Sequence, residues 1–291
     1  MVMIRRLTHL SLAILYFLAQ RSLTAITRFF GKQPDVMLVT LLYHGVTKEE
    51  RSRFARQLDE LLRLTHPVSV DTHEPLKRGR RYAAVTFDDG LRSTLENALP
   101  ELRARGIPAT VFIPTGYLGQ RPEWKGMEED GALDDSVMTA EQVGEISRSG
   151  AAAGSLFTIG SHTVTHADLT CLSGEDLRRE LVQSKGQLED LLGSDVDLFA
   201  FPYGEHSDEV CEAAKQAGYR KIFADLPESA VTTRRGFLYG RVFVSPSDWP
   251  VEYRLKLIGA YQWWPTAVKM KRRLRHTIRV MQFRRSNYRY N

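Results

Sequence analysis

Two adjacent carboxylates stand directly after an apolar, strand-like run. Asp88 and Asp89 close the run 82–87 within the sequence Thr-Phe-Asp-Asp-Gly. A buried carboxylate is strongly destabilising unless it is paired or bound to a metal ion. An Asp-Asp-Gly sequence alone is also typical of a turn. At the end of a buried strand, the pair predicts a divalent cation.

Two histidines supply ligands that such a cation would accept. His162 and His166 end the β-rich run that begins at Phe157. If the chain turns into a helix here, both rings lie on one face, because residues four apart are neighbours on a helix surface. Two imidazoles and one carboxylate suit zinc or a similar metal and leave a position open for water. A histidine pair alone is commonly found on a helix surface, but together with the aspartates it favours a metal site.

Two further strand-like runs end in polar or turn residues. The run 198–201 is followed by Pro202, Tyr203 and Gly204, and the run 39–43 is followed by His44. Taken singly, these patterns indicate a loop and a histidine at a strand end. With the first two motifs, they predict one active site built from four strand ends.

The order of these motifs resembles a known family. Thr-Phe-Asp-Asp-Gly, Ser-His-Thr-Val-Thr-His and Phe-Ala-Phe-Pro-Tyr-Gly are similar to motifs of the polysaccharide deacetylases of carbohydrate esterase family 4, the NodB-homology domain. The resemblance covers roughly residues 35–248. The early Leu-Leu-Tyr-His-Gly-Val further resembles the rearranged branch that includes poly-N-acetylglucosamine deacetylases, in which the catalytic histidine precedes the aspartates.

The resemblance implies a role for each matching residue. It implies a metal-dependent hydrolase that uses Zn²⁺, with Co²⁺ and Ni²⁺ as alternatives. The implied roles are the general base for Asp88, the general acid for His44, metal ligands for Asp89, His162 and His166, and the oxyanion-binding loop for Pro202, Tyr203 and Gly204, with the backbone N–H of Tyr203 as donor.

One position departs from the family pattern. Ala200 stands where many members carry an arginine that orients the base. Arg241, at the start of the strand-like run 241–244, is our candidate for its replacement, although an arginine there is also typical of a surface position. The usual late Leu-His motif is absent, since His276 lies in a basic tail, and this absence favours His44 as the acid.

The predicted function is removal of N-acetyl groups from amino sugars of a bacterial-type polysaccharide or glycan precursor, with release of acetate. One alternative is deacetylation or deformylation of a lipid-linked sugar at the inner membrane face. A second alternative is an inactive carbohydrate-binding protein of the same fold, which the alanine at position 200 favours. Trp124, in a predicted loop from Tyr117 to Asp135, is a candidate for stacking on a sugar ring.

Strand-like and helical patterns alternate along the chain, which predicts an α/β protein with one distorted (β/α) barrel of the NodB-homology type. All four motifs then lie at carboxyl ends of strands, where barrel active sites form. The predicted strands are 36–43, 82–87, 109–113, 157–160, 198–201, 221–224 and 241–244, and the predicted helices are 53–64, 91–105, 139–149, 173–192 and 207–217.

Charge divides the chain into a predicted anchor at 1–34, a catalytic domain at 35–250 and a basic, aromatic-rich tail at 251–291. The first 34 residues hold five basic and no acidic residues, and eleven basic residues follow Glu252. The segment 35–252 therefore keeps 24 of the 40 basic and all 35 acidic residues, a net charge of −11. An acidic domain argues against a nucleic-acid partner.

Both basic ends are also apolar, which predicts membrane association. Residues 10–19 form an apolar run interrupted only by Ser11 and preceded by Arg5 and Arg6. This run is short for a span of about 20 residues, so a signal or anchor segment and an in-plane amphipathic helix both remain open. Aromatic residues and clustered cations in the tail suit an anionic membrane surface. The side of the membrane is undetermined, with the extracytoplasmic side favoured.

Overall fold

We describe the protein from a computed structural model that covers residues 2–31, 35–124, 135–148, 156–226 and 237–264. Most of the predicted basic tail, from residue 265 onward, lies outside the described residues, as does most of the predicted loop after Trp124. The domain boundaries drawn from the sequence stay predictions.

Within the described residues, nine strands form one sheet in which every strand pair is parallel. Their spatial order is β8-β7-β6-β5-β4-β3-β1-β9, with β2 beside β3. Most positions of the long strands are buried on both faces, as expected of a parallel sheet covered by helices. The strands are β1 (Met37–Tyr43), β2 (His66–Pro67), β3 (Arg81–Phe87), β4 (Ala109–Ile113), β5 (Phe157–Ser161), β6 (Leu198–Ala200), β7 (Lys221–Ala224), β8 (Leu238–Gly240) and β9 (Val242–Phe243).

The sheet is nearly closed into a barrel by a single short segment. Strand β8 pairs with β7 at one edge of the sheet, and β9 pairs with β1 at the other. Only Arg241 separates β8 from β9 in the chain. The segment 238–243 therefore joins the two edges, and the predicted distorted (β/α) barrel is confirmed.

Helices connect the strands and cover the barrel. The longer ones bury an apolar face, as Phe54, Leu58 and Leu61 show in the second helix. A π-helical turn at Thr94–Ala98 leads into the third. The helices are α1 (Val2–Phe29), α2 (Arg51–Leu64), α3 (Leu99–Ala104), α4 (Ala140–Arg148), α5 (Gly174–Leu192), α6 (Asp208–Gln216) and α7 (Pro250–Leu257).

The first and last of these helices pack on each other at one flank of the barrel. Helix α7 buries Tyr253 and Leu257 in the main core, although its sequence falls in the segment predicted as a tail. Helix α1 contributes Ala13, which is fully buried, while much of the rest of α1 is exposed. By length and composition, residues 6–29 could cross a membrane.

Candidate active site

The register of β1 and β3 brings His44 and Asp88 side by side. Tyr43, the last residue of β1, pairs with Phe87, the last residue of β3. The backbone N–H of Asp88 donates to the carbonyl oxygen of Tyr43 at 2.9 Å. His44 and Asp88 therefore leave adjacent strands at the same edge of the barrel.

The chain turns sharply after Asp88 and thereby aims the second carboxylate inward. Asp89 has φ 66° and Gly90 has φ 57°, two consecutive residues in the left-handed region. Aspartate tolerates this region better than most side chains, and such strain is concentrated at functional sites. A Cβ atom on Gly90 would lie 2.6 Å from the Ile113 side chain, so this position requires glycine.

The two histidines lie in a loop and not on a helix, so helical spacing is not what brings their rings together. The chain leaves β5 as an irregular loop in which Thr163 has φ 69° and His166 has φ 56°. These left-handed positions fold the loop back on itself, so that the two imidazole centroids lie 4.9 Å apart. A hydrogen bond from the His166 N–H to Thr163 Oγ1, at 3.0 Å, closes the loop.

The three predicted metal ligands converge on one point. One donor atom each from Asp89, His162 and His166 lies within 4.8 Å of the other two, and all three residues are buried. Asp89 Oδ1 is 3.2 Å from His166 Nε2 and 3.6 Å from His162 Nε2. Ligand atoms around a tetrahedral zinc ion have a similar separation, about 3.3–3.6 Å.

The chemistry of these donor atoms fits a metal ion. Asp89 Oδ1 is buried and accepts no hydrogen bond from the parts of the chain that the structure describes, an arrangement that costs free energy unless a cation is bound. Burial would raise the pKa of Asp89, but His166, His44 and His162 outweigh burial and hold this pKa well below its usual range. Burial, opposed in part by Asp88, lowers the pKa of His162 to about 4, so its imidazole is neutral and able to ligate at neutral pH.

A backbone carbonyl fixes the orientation of His162. The carbonyl oxygen of Ala200 lies 2.8 Å from His162 Nδ1. Because a carbonyl only accepts, Nδ1 carries the proton and Nε2 presents its lone pair to the cluster. Ala200, which stands where many family members have an arginine, thus orients His162 through its main-chain carbonyl.

Glu180, which sequence reasoning missed, holds the histidine loop in place. Its side chain extends from α5, and the residue is 2% exposed. Glu180 Oε2 accepts hydrogen bonds from the N–H groups of Val164 and Thr165, both at 2.9 Å, and Oε1 accepts from Thr165 Oγ1 at 2.8 Å. These three bonds satisfy hydrogen-bond donors of the loop residues between His162 and His166.

Arg241 binds the first aspartate. Its Nη1 and Nη2 donate to the two carboxylate oxygens of Asp88 at 2.6 and 2.7 Å, a bidentate pair. Nη2 also donates to Asp225 Oδ1 at 2.8 Å. The guanidinium is completely buried, because Arg241 lies where the closing segment passes from β8 to β9. A guanidinium therefore lies beside Asp88 although position 200 is alanine.

Asp225 was not predicted from the sequence. It follows β7 directly, and this pattern of a strand followed by a carboxylate is the same one that drew attention to Asp88. Burial raises the pKa of Asp225, and Arg241 opposes this rise. The site holds three carboxylates, those of Asp88, Asp89 and Asp225, around one guanidinium, an excess of negative charge that a divalent cation would offset.

The remaining predicted residues line the same edge. The His44 ring lies 5.4 Å from the ring of Phe243, centroid to centroid. The Tyr203 ring meets the His166 ring edge to face, with centroids 4.8 Å apart. Trp124 stacks on the same His166 ring, with centroids 4.2 Å apart and 17° between the planes. The predicted sugar-stacking residue is therefore packed against a candidate metal ligand.

The loop with Pro202, Tyr203 and Gly204 has an unusual backbone. Tyr203 has φ 59° and Gly204 has φ 67°, both left-handed. A Cβ atom on Gly204 would lie 2.5 Å from Cβ of Asp225, so the loop and the acidic residue are in direct contact. The loop therefore contacts His166 through the Tyr203 ring and Asp225 through Gly204.

A nearly closed parallel barrel with a buried Asp-His-His cluster at its carboxyl-end edge defines a class of metal-dependent barrel enzymes. Residues 76–222, half of the chain, match the sequence profile of the family Polysaccharide deacetylase. The protein belongs to this family of hydrolases, which cleave amide carbon–nitrogen bonds.

Three relatives illustrate the match. YxkH of Bacillus subtilis, a candidate polysaccharide deacetylase, is 23% identical over 72% of this chain and 72% of its own length. A poly-beta-1,6-N-acetyl-D-glucosamine N-deacetylase of Staphylococcus aureus is 28% identical over 57% of this chain, which covers 55% of that protein. The structure of IcaB from Ammonifex degensii superposes with a TM-score of 0.60 and 28% identity, covering 77% of this chain and 99% of IcaB.

Proposed function

We propose that the protein hydrolyses the N-acetyl group of β-linked N-acetylglucosamine units in a polysaccharide, releasing acetate and leaving a free amine. The observation that carries this proposal is the pairing of Asp88 with Arg241 directly beside the Asp89, His162 and His166 cluster. The substrate class is suggested by the Staphylococcus aureus relative, whose name specifies this polymer.

Asp89, His162 and His166 would hold the divalent metal ion, and Zn²⁺ suits two imidazoles and one carboxylate. A bound ion of this kind polarises the amide carbonyl and makes water more acidic.

Asp88 acts as the general base. Its Oδ2 lies 3.9 Å from His162 Nε2, so the carboxylate is next to the metal ligands but is held by Arg241. Because Arg241 fixes both oxygens, Asp88 has one orientation from which to take a proton from the attacking water. The new C–O bond forms as the carbonyl becomes tetrahedral.

His44 acts as the general acid on the departing nitrogen. It leaves β1 at the same edge of the barrel, and histidine is the side chain that most often transfers a proton in catalysis. Protonation of the nitrogen allows the C–N bond to break. The Tyr203 N–H, presented by its left-handed loop, stabilises the developing oxyanion.

An inactive binding protein was the alternative that the alanine at position 200 favoured. Arg241 weakens the reason for that alternative, because it provides Asp88 with a bidentate guanidinium partner from another strand. We also propose that the protein works at a membrane surface, with α1 as the contact, since α1 is long and apolar and largely exposed.

The proposed function is tested by measuring acetate release from β-1,6-linked N-acetylglucosamine oligomers. We expect wild-type turnover with added Zn²⁺, loss of metal from His162→Ala, and at least a hundredfold slower turnover by Asp88→Asn with retained metal, in line with loss of a general base. Asp190→Asn, on the far side of α5, is the matched control. A metal-loaded wild-type protein that releases no acetate from N-acetylated glycans would contradict the proposal.

A further inference from the structure

Helix α1 has two different sides along its length. Arg6, Leu10, Ala13 and Phe17 recur at helical spacing and lie on the side that packs against the domain. Arg21 and Arg28 continue this side after the packed part ends. The opposite side is exposed from one end of the helix to the other and is apolar apart from three hydroxyl residues, with Ile4 71%, Leu15 63%, Leu18 54%, Ile26 55% and Phe29 87% exposed.

The first turns of α1 are bound to the domain by charge. Arg6 forms an ion pair with Glu252 at 2.6 Å, donates to the Ser247 carbonyl oxygen at 3.2 Å and lies over the Trp249 ring at 4.5 Å. Glu252 and Asp248 are both largely buried and share Lys256 as their other cation. Arg6 therefore supplies the second positive charge that two carboxylates need.

While Arg6 keeps these contacts, α1 cannot span a membrane. From Arg6 to Phe29 a helix rises about 35 Å, enough to cross a hydrocarbon core of about 30 Å. Strand β1 begins at Met37, eight residues after Phe29, and eight residues reach about 26–29 Å when fully extended. The chain could not return across the membrane to the domain that holds Arg6.

The polar residues on the exposed side are already satisfied within the helix. Thr8 Oγ1 donates to the Ile4 carbonyl oxygen at 2.9 Å, and Ser11 Oγ donates to that of Leu7 at 3.0 Å. Ser22 Oγ donates to that of Leu18 at 3.1 Å. Hydroxyls bonded in this way can enter an apolar medium at low cost.

We infer that α1 lies in the plane of a lipid bilayer as a one-sided anchor, with its apolar side in the lipid and its basic side, including Arg21 and Arg28, toward anionic headgroups and the domain. Charge supports this occupant, because the first 34 residues contain five basic and no acidic residues. A continuous apolar face of this size is unusual on a protein surface without a partner. The inference deepens the membrane contact proposed above and does not depend on the deacetylation reaction.

Two substitutions of equal charge test which side of the helix meets lipid. Leu18→Glu and Gln20→Glu add the same charge two residues apart, on opposite sides of α1. With the full chain and vesicles of phosphatidylcholine with phosphatidylglycerol, we expect Leu18→Glu to weaken co-sedimentation about tenfold or more and Gln20→Glu to have a much smaller effect. Equal weakening by both variants would overturn the inference.

Cysteine labelling tests whether α1 lies on the membrane or crosses it. Met3→Cys and Arg28→Cys lie on the same side of the helix near its two ends, in a background where Cys171 and Cys211 are serine. We expect both to react with an impermeant maleimide added outside preformed vesicles. Protection of only one of the two, or recovery of membrane-bound chain that lacks α1, would overturn the inference.

Acetate release from soluble oligomers separates this inference from the proposed function. Leu18→Glu is expected to keep wild-type turnover, because α1 contributes no residue to the site. Absent turnover in the wild type would contradict the proposed function and leave the labelling result unaffected.

Discussion

Two arginines in this protein each bridge two carboxylates, and their surroundings differ. Arg241 joins Asp88 and Asp225 inside the barrel with no exposure, whereas Arg6 joins Glu252 and Asp248 at the flank with 29% of its side chain exposed. Removal of one partner from a fully buried ion pair leaves an uncompensated charge, but water can replace a partner at the surface. The buried cluster around Arg241 therefore holds Asp88 in one orientation. The partly exposed cluster around Arg6 holds α1 against the domain, and this contact can be released.

The largest expected effect is that of Arg241→Ala. We expect a loss of about 3–5 kcal/mol in the free energy of unfolding, because the buried carboxylate of Asp88 and the partly buried carboxylate of Asp225 lose their counter-charge. Turnover should fall as well, since Asp88 loses both hydrogen bonds that orient it. Arg241→Lys should recover only part of both losses, because lysine lacks the bidentate fork.

Urea unfolding and acetate release measure these two effects. Arg92→Ala is the control, because Arg92 pairs with Glu96 at 2.6 Å on the exposed surface and its loss should cost at most about 1 kcal/mol. If Arg241→Ala lowers the free energy of unfolding no more than Arg92→Ala does, the expected difference between the buried and the exposed ion pair is wrong.

The second-largest effect is expected for Glu180→Ala. Three donors of the histidine loop lose their acceptor, which we expect to cost about 2–4 kcal/mol and to weaken Zn²⁺ binding. Glu180→Gln keeps an acceptor of the same shape and should recover most of the metal affinity. Titration with Zn²⁺ under a competing chelator measures the affinity, and a Gln variant as impaired as the Ala variant would argue against hydrogen bonding as the cause.

Two glycines with nearly the same backbone angle separate strain from contact. Gly204 has φ 67° and would place a Cβ 2.5 Å from Asp225, whereas Gly193 has φ 65° and open space around it. Gly193→Ala should cost about 1 kcal/mol from backbone strain alone. Gly204→Ala should cost about 1–3 kcal/mol more and lower turnover, because Asp225 and the Tyr203 loop must move apart. Equal unfolding midpoints in urea for the two variants would show that the contact contributes nothing.

The smallest expected effect is that of Arg6→Ala. Because the pair is partly exposed, we expect about 0–1 kcal/mol, and unchanged turnover on soluble oligomers. Increased proteolysis between α1 and β1 would report release of the helix. A loss as large as that of Arg241→Ala would show that the flank cluster behaves as a buried one.

The sequence predicted the strands that carry motifs, because each is a continuous buried apolar run. Strands β8 and β2 were not predicted. Most of α7 lies in the segment predicted as a basic tail, because no acidic residue follows Glu252 in the sequence, and Lys256 in this segment is buried beside Asp248.

Metal donors were predictable from residue type and spacing, but their geometry was not. His162 and His166 are brought together by left-handed backbone at Thr163 and His166, which no side-chain pattern reports. Asp225 and Glu180 act through partners distant in sequence, Arg241 and the histidine loop, so only the folded chain reveals them. The proximity of Arg241 to Asp88 depends on barrel closure for the same reason.

The segment that closes the barrel has a consequence for synthesis of the chain. Asp89, His162 and His166 precede it, so a growing chain carries all three candidate metal ligands well before it contains Arg241. Closure of the barrel and formation of the ion pair between Arg241 and Asp88 occur together, because Arg241 is the residue between β8 and β9. A partly made or truncated chain could therefore hold metal before Asp88, the proposed base, is oriented, and hydrolysis would begin only once the barrel is closed.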